Sequence, residues 1–504
     1  MKKHIIALSA ITALSTSLFG AKLTHDDLKA QIDMLKAQLA ALESKIEANS
    51  AEKNITQLDE KRIVKLEKKV AKNSKKINKV KAHGAGDNLK FDVDFRTSVD
   101  SISYKLKDGS TVKNNSLLTN RLWLNGKYAP TDNVSFYARL SYMKAYGDGA
   151  NGNQRTNGTN ANANFDWVTN ENANEDNTLN VKQAFWLYKN DSFFGNEDIA
   201  WTASVGRRPS TDGLLANFRE DQQRQSALAH TVNVEFDGAS ARFNLDKLTG
   251  VEGMWVKFCA GRGLTNALPR FDSSGTDYAV DTTQTKNVDM AGLIFVPYDD
   301  GQYSIHTNYS KAWNMIGYAD ATDVGAGKTQ GQFYNWGDME FMTAGLVVDG
   351  IGNEINDYLD NSKFFISFAQ SITHPKNGER MLGSSKSEKG HSIWAGINVP
   401  DGFSNGRFGL EWNKGSKYWR SMTYGEDTMV GSKIAARGTA WEAYYNKELT
   451  KALSASIRFT KIKYDYTGSN AFFGSNGAPI DMASASDSAV QEATDIRAYI
   501  RYRF

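Results

Sequence analysis

Basic side chains recur at every second position of several short segments, and that spacing is where chemistry is first expected. Arg497, Arg501 and Arg503 interleave with Ile496, Ala498, Ile500, Tyr502 and Phe504 at the end of the chain. Arg96 follows Asp92 and Asp94 on one phase while Phe91, Val93 and Phe95 hold the other, and Arg139 falls between Ala138 and Leu140. Successive side chains of an extended strand point to opposite faces, so a period of two collects charge on one side and apolar groups on the other. The same rule assigns Arg121, Lys127, Lys182, Arg208, Lys257, Arg407 and Arg458 to the charged face, with Asp92, Asp94, Glu235, Asp289, Glu411, Glu442 and Asp495 as counter-charges. Such a face offers electrostatics rather than bond making. It would concentrate anions, or its guanidinium groups would pair with the carboxylates and brace a wall. The residue types leave both outcomes open.

Covalent chemistry finds less support. His306 shares a phase with Ser304, Asn308 and Ser310, but a lone histidine among hydroxyls lacks the orienting carboxylate of a nucleophilic triad. The seven histidines include no HExxH pair and Cys259 is the single cysteine, so neither a metal nor another cofactor is expected. Gly147, Gly149 and Gly152 form a GxGxxG, yet no crossover helix follows, and residues 147–177 are rich in Asn and Gly as a surface loop would be. Nucleic acid is not an expected partner.

A face built from so many segments needs many strands, and the composition allows them. The 504 residues include 25 Phe, 11 Trp, 21 Tyr and 42 Gly but only 7 Pro, with a mean hydropathy of −0.51. After the first twenty or so residues no stretch holds the roughly 18 apolar positions of a membrane helix, whereas a barrel strand needs only about 9–11 alternating ones. Strands are expected near 89–106, 117–128, 133–146, 178–189, 199–208, 231–247, 253–261, 287–297, 302–312, 338–348, 363–371, 391–398, 406–413, 440–447, 452–466 and 494–504. The count is sixteen, or eighteen if 262–286 hides a hairpin. Short turns such as 299–301 and 447–451 alternate with long connections such as 147–177, 209–230 and 467–493. Around Asp237 and Gly238 the sixth strand changes phase, which a bulge would explain. A two-faced sandwich would alternate as well. Strand number, aromatics near strand ends and the terminal Phe504 favour an all-β transmembrane barrel of about 16 antiparallel strands in the lipid bilayer.

The first 88 residues read differently. Lys2 and Lys3 precede an apolar run from Ile5 to Leu14, so residues 1–20 are expected to be a signal peptide. Over 21–83 the apolar residues step by three and four through Leu28, Ile32, Leu35, Leu39, Leu42 and Ile46, with Asn49 in register. After an offset of one residue the spacing resumes through Ile63, Leu66, Val70, Asn73 and Ile77. This is the repeat of a helical coiled coil, and its narrow seam predicts a homo-oligomer, dimer or trimer. From Lys61 to Lys81 the helix carries ten basic residues and only one acidic one, Glu67. That run is either a solvated face or a contact for anionic lipid or cell wall. Residues 84–88 form a linker, and 89–504 are the barrel.

Signal peptide, basic coiled coil and porin-like barrel in this order, with Gly206-Arg207-Arg208-Pro209-Ser210-Thr211-Asp212-Gly213 closing a strand, resemble an uncharacterised family of Gram-negative outer-membrane proteins, a domain of unknown function. The resemblance implies the cell outer membrane, with the helix in the periplasm, but no substrate and no catalytic residue. The expected function is passive diffusion of small hydrophilic solutes, with a preference for anions. A plugged barrel acting as a structural tether or adhesin is the main alternative, and an outer-membrane enzyme a lesser one.

Overall fold

The computed structural model describes residues 88–504 apart from 147–178, 210–211, 268–274, 276–278, 280–284, 353–354 and 424–427. The expected signal peptide, the coiled-coil seam from Leu28 to Ile77, the basic run and the loop 147–177 lie outside the described residues.

Sixteen antiparallel strands close on themselves. In chain order they are β1 (Leu89–Leu106), β2 (Thr111–Tyr128), β3 (Val134–Ala145), β4 (Asn180–Asn190), β5 (Trp201–Arg208), β6 (Phe236–Asn244), β7 (Trp255–Leu264) and β8 (Val288–Asp299). They continue as β9 (Tyr303–Tyr318), β10 (Phe333–Asp349), β11 (Lys363–Pro375), β12 (Lys389–Pro400), β13 (Gly406–Gly415), β14 (Gly438–Glu448), β15 (Leu453–Tyr464) and β16 (Val490–Arg503). Each strand pairs with its sequence neighbours, and β16 returns to β1 in the register Arg497 opposite Asp100 and Arg501 opposite Arg96. Closure leaves no strand edge unpaired, which a hydrocarbon solvent demands.

Turn chemistry fixes one end of the barrel. Between β8 and β9 the Asp300 carboxylate accepts the backbone N–H groups of Gln302 and Tyr303 at 2.8 and 2.6 Å, and Gly301 adopts φ 91°. Between β12 and β13 Asp401 accepts from Phe403 and Ser404 in the same manner. Asp side chains that bond their own turn backbone stabilise such tight reversals.

Alternation sorts the two faces. Ile496 and Ile500 on β16 are 46% and 54% exposed, whereas Arg497 and Arg501 beside them are 1% and 2% exposed. Phe95, Trp186, Phe258, Phe368, Trp441 and Phe459 join the isoleucines on the outer face, a continuous apolar surface of the kind lipid covers. No helix among the described residues is long and apolar enough to cross a membrane.

Two details differ from the alternation pattern. The sixth strand begins at Phe236, not at residue 231, because the chain before it has left the wall for the interior. Asp289 does not face inward. It meets Arg262 at 2.7 Å on the outer face near the rim, while its neighbour Val288 takes the buried phase.

Candidate functional site

A guanidinium lining a wide water-filled lumen would be exposed, so the burial of Arg497 and Arg501 requires something to cover them. The cover is the chain between β5 and β6. At Gly206 the backbone takes φ 128° and packs so closely on β4 that a Cβ would lie 2.3 Å from the Ala184 carbonyl oxygen. From there residues 212–235 leave the wall and cross the barrel interior, and the short helix α1 (Ala216–Arg219) lies near their tip.

Ion pairs hold this segment to the far wall. Arg219 donates through Nη1 to Glu442 on β14 at 3.1 Å, and Glu220 accepts from Arg458 on β15 at 2.8 Å. Arg501 donates to the Glu220 carbonyl and the Gln222 side chain, both at 3.0 Å, while Arg503 donates to the Asp221 carbonyl at 2.7 Å. Near its start the segment's Asp212 stands 3.6 Å from Arg139, and near its end Glu235 stands 3.2 Å from Lys182. Apolar packing adds to the charges. Leu214, Leu215 and Ala216 bury against Phe365, Trp394 and Ile434. Leu215 has φ 82°, and Asp212 and Asp221 are also left-handed, so three of the six described non-glycine residues with positive φ sit in this segment. Backbone held in that region is strained and persists only where its surroundings over-determine it.

A second segment, described over 416–423 and 428–437, also turns inward. Met422 and Thr423 pair in parallel with Val232 and Asn233 of the first. Lys433 then reaches Glu411 on β13 at 2.6 Å and Glu442 at 2.7 Å, so Glu442 is shared between both inserted segments. From a third connection, 465–489, Phe472 and Phe473 pack with Trp336, Met315, Ile316 and Met381 inside the barrel.

The wall arginines are therefore engaged in specific ways. Arg497 bonds Asp100 at 2.6 Å, and Arg501 bonds Asp94, which also lies 3.6 Å from Arg121. Arg96 falls between Arg121 and Arg501 in register and lies 5.4 Å from the Tyr499 ring. Trp123 is stacked between cations, with Arg121 at 3.6 Å and Arg139 at 4.3 Å from its ring, which is cation–π geometry. Arg407 bonds Asn398 and the Asn361 carbonyl near the turn end. Arg208 and Lys257 lie on β5 and β7.

Among the described residues His374 is the histidine with a carboxylate beside it: its Nε2 lies 3.2 Å from Glu340 Oε1 and its Nδ1 3.5 Å from Ser387 Oγ. His306 Nε2 lies 3.0 Å from Ser304 Oγ. His230, in the first inserted segment, has Ser367 Oγ 2.8 Å from Nδ1 and Ser392 Oγ 2.9 Å from Nε2, so both nitrogens are occupied by hydroxyls and neither by a carboxylate. Sequence reasoning assigned no role to His230, Arg219, Glu220 and Lys433, since all four fall in the long connections 209–230 and 414–439, outside the alternating strands. The available signal was the apolar run Leu214, Leu215, Ala216 and Phe218, which an exterior loop has no reason to carry.

Closed antiparallel topology, an apolar outer belt and a polar interior crossed by a folded connection define a β-barrel of the transmembrane, porin-like kind. Within that class the chain belongs to the protein family of unknown function DUF3373, whose model matches residues 111–504. No curated protein sequence matches it. Among solved structures the chain is similar to OprB of Pseudomonas putida, at 11% identity over 84% of this chain and 96% of that one, with a TM-score of 0.46. It is also similar to the anion-selective porin from Comamonas acidovorans, at 12% identity over 82% and 99% with a TM-score of 0.45. Salmonella typhi OmpF, solved in complex with daunomycin, matches at 11% identity over 83% and 98% with a TM-score of 0.43.

Proposed function

We propose that this barrel is an outer-membrane channel for passive diffusion of small hydrophilic solutes, narrowed by the segment that crosses it. The tie from Arg219 to Glu442 carries the reading, because it draws the chain across a polar interior instead of laying it flat on the wall. Beside α1 a recess of about 450 Å³ stays open, lined by Asn217, Asp221, Gln222, Asp349, Lys363 and Arg407 toward the end with the short turns. Polar and charged linings of this kind favour hydrated solutes. A modest preference for anions belongs to the proposal. Its source is the basic groups of β5 and β7, because Arg497 and Arg501 have carboxylate partners. Proteoliposome swelling with solutes of graded size tests it: glycine-sized solutes should enter readily and disaccharides slowly. Equal exclusion of all sizes would overturn it.

A plugged barrel serving as tether or adhesin is the second reading. It is favoured by the inward packing of Trp394, Trp419, Phe472 and Phe473, each at most 1% exposed. In either case residues 1–20 would direct export, and 21–83 would form a periplasmic homo-oligomeric coiled coil, with Lys61 to Lys81 near anionic lipid or cell wall.

A further inference from the structure

We propose that the wall formed by β5 to β9, behind the first inserted segment, holds a binding site for a small inorganic oxyanion of the phosphate or sulfate type. A partly open cavity of about 100 Å³ lies there, with Leu228 and Val232 of the inserted segment among its lining and no Asp or Glu. Its polar lining comes from Arg208 on β5, Ser226 of the inserted segment, Lys257 and the Cys259 thiol on β7, and Asn308 and Ser310 on β9.

These groups lack a partner that several interior cations have. Lys182, Arg219, Arg458, Arg497 and Arg501 each meet a carboxylate. Among the described residues Lys257 meets none, and it stands within electrostatic reach of three further cations, Arg208, Arg242 and Arg224. Arg208 lies against the Cys259 thiol, and its Nε is buried without an acceptor. Ser310, 3% exposed, has a buried hydroxyl with no hydrogen-bond partner. Gathered positive charge and orphaned donors are costly unless an anion completes them.

The geometry selects the class of anion. A guanidinium fork, an ammonium, a hydroxyl and an amide suit several oxygens on one centre, since Arg binds oxyanions in bidentate fashion and Lys adds a point charge. Chloride would answer the charge but not this number of directed donors. The volume is several times the roughly 10–15 Å³ that one water needs on the same measure, enough for one tetrahedral oxyanion. The site rests on the channel reading only in giving its anion preference a location, because binding at equilibrium does not require conduction.

Calorimetric titration of inorganic phosphate into the folded full-length protein in detergent at low salt tests the proposal. Saturable binding near one phosphate per chain is expected, at least tenfold weaker in Lys257→Gln and in Arg208→Gln, with no saturable heat from chloride at equal ionic strength. Sulfate is expected to compete. If Arg208→Gln fails to assemble, Lys257→Gln decides alone. No saturable heat in the wild type, or unchanged affinity in Lys257→Gln, overturns the site. A barrel that conducts but binds no phosphate ends this proposal and spares the channel, whereas binding without conduction does the reverse.

Discussion

Arg497 on the last strand donates through Nε to Asp100 on the first at 2.6 Å, with both side chains at most 1% exposed. Together with Arg501 and Asp94 farther along the same two strands, this pair stitches the seam at which the barrel closes. Such pairs contribute less to net stability than their length suggests, because burying both ions is expensive, yet removing one partner leaves the other charge uncompensated. Asp100→Asn should therefore cost about 3–5 kcal/mol. Arg497→Glu should do worse, since it sets a third carboxylate beside Asp100 and Asp495, and assembly should fall before any change of ion selectivity can be read. The urea midpoint of the heat-modifiable band measures both, and an unchanged midpoint in Asp100→Asn would falsify the seam.

Glu442 accepts from Arg219, Lys433 and Thr460 at 3.1, 2.7 and 2.7 Å. Glu442→Gln keeps the shape but leaves two buried cations short of charge, so a loss of about 3–5 kcal/mol is expected here too. The damage should be local. Protease cleavage within 212–235 and 416–437 should rise while the strands stay protected, and equal protection in variant and wild type would show that Glu442 does not hold the segments.

Phe504 is 83% exposed, while its backbone N–H and C=O both pair with Val93. Phe504→Ser should change stability by less than about 0.5 kcal/mol, as at other exposed sites, because the backbone bonds and not the ring hold this position. A larger shift of the urea midpoint would show that the ring itself supports the barrel.

The seam of 21–83 predicts an oligomer that charge would dissociate. Leu35→Lys with Leu42→Lys should abolish crosslinking between chains, and persistence of the crosslinked species would assign that seam to packing within one chain.

Strand number was legible because lipid on one side and polar groups on the other impose period two, as Ile496 to Phe504 shows most plainly. Strand ends were less so. Thr111 to Ser116 extend β2 beyond the expected start at 117, and polar residues outside the bilayer carry no alternation to read. The inserted segments were hidden for a different reason. Val232 and Asn233 do form a strand, but its partner is Met422–Thr423 in the interior, and local pattern cannot say which neighbour a strand will find. The phase change at Asp237 and Gly238 marked the place where the chain rejoins the wall, although a bulge explains it equally well from sequence. Whether the arginines attract ions or brace the wall was likewise undecidable from alternation, since Glu220 and Asp221 reach Arg458 and Arg503 only through the tertiary path of the crossing segment.

Single-channel conductance in planar bilayers, comparing the wild type with Glu220→Gln combined with Asp221→Asn, tests most directly whether the crossing segment sets the width of a conducting lumen. The wild type should show small discrete steps. The variant, whose segment tip has lost its carboxylates to Arg458 and Arg503, should show larger and noisier ones with a greater share of anion current. Identical steps in the two proteins, or no steps in either, would contradict the account.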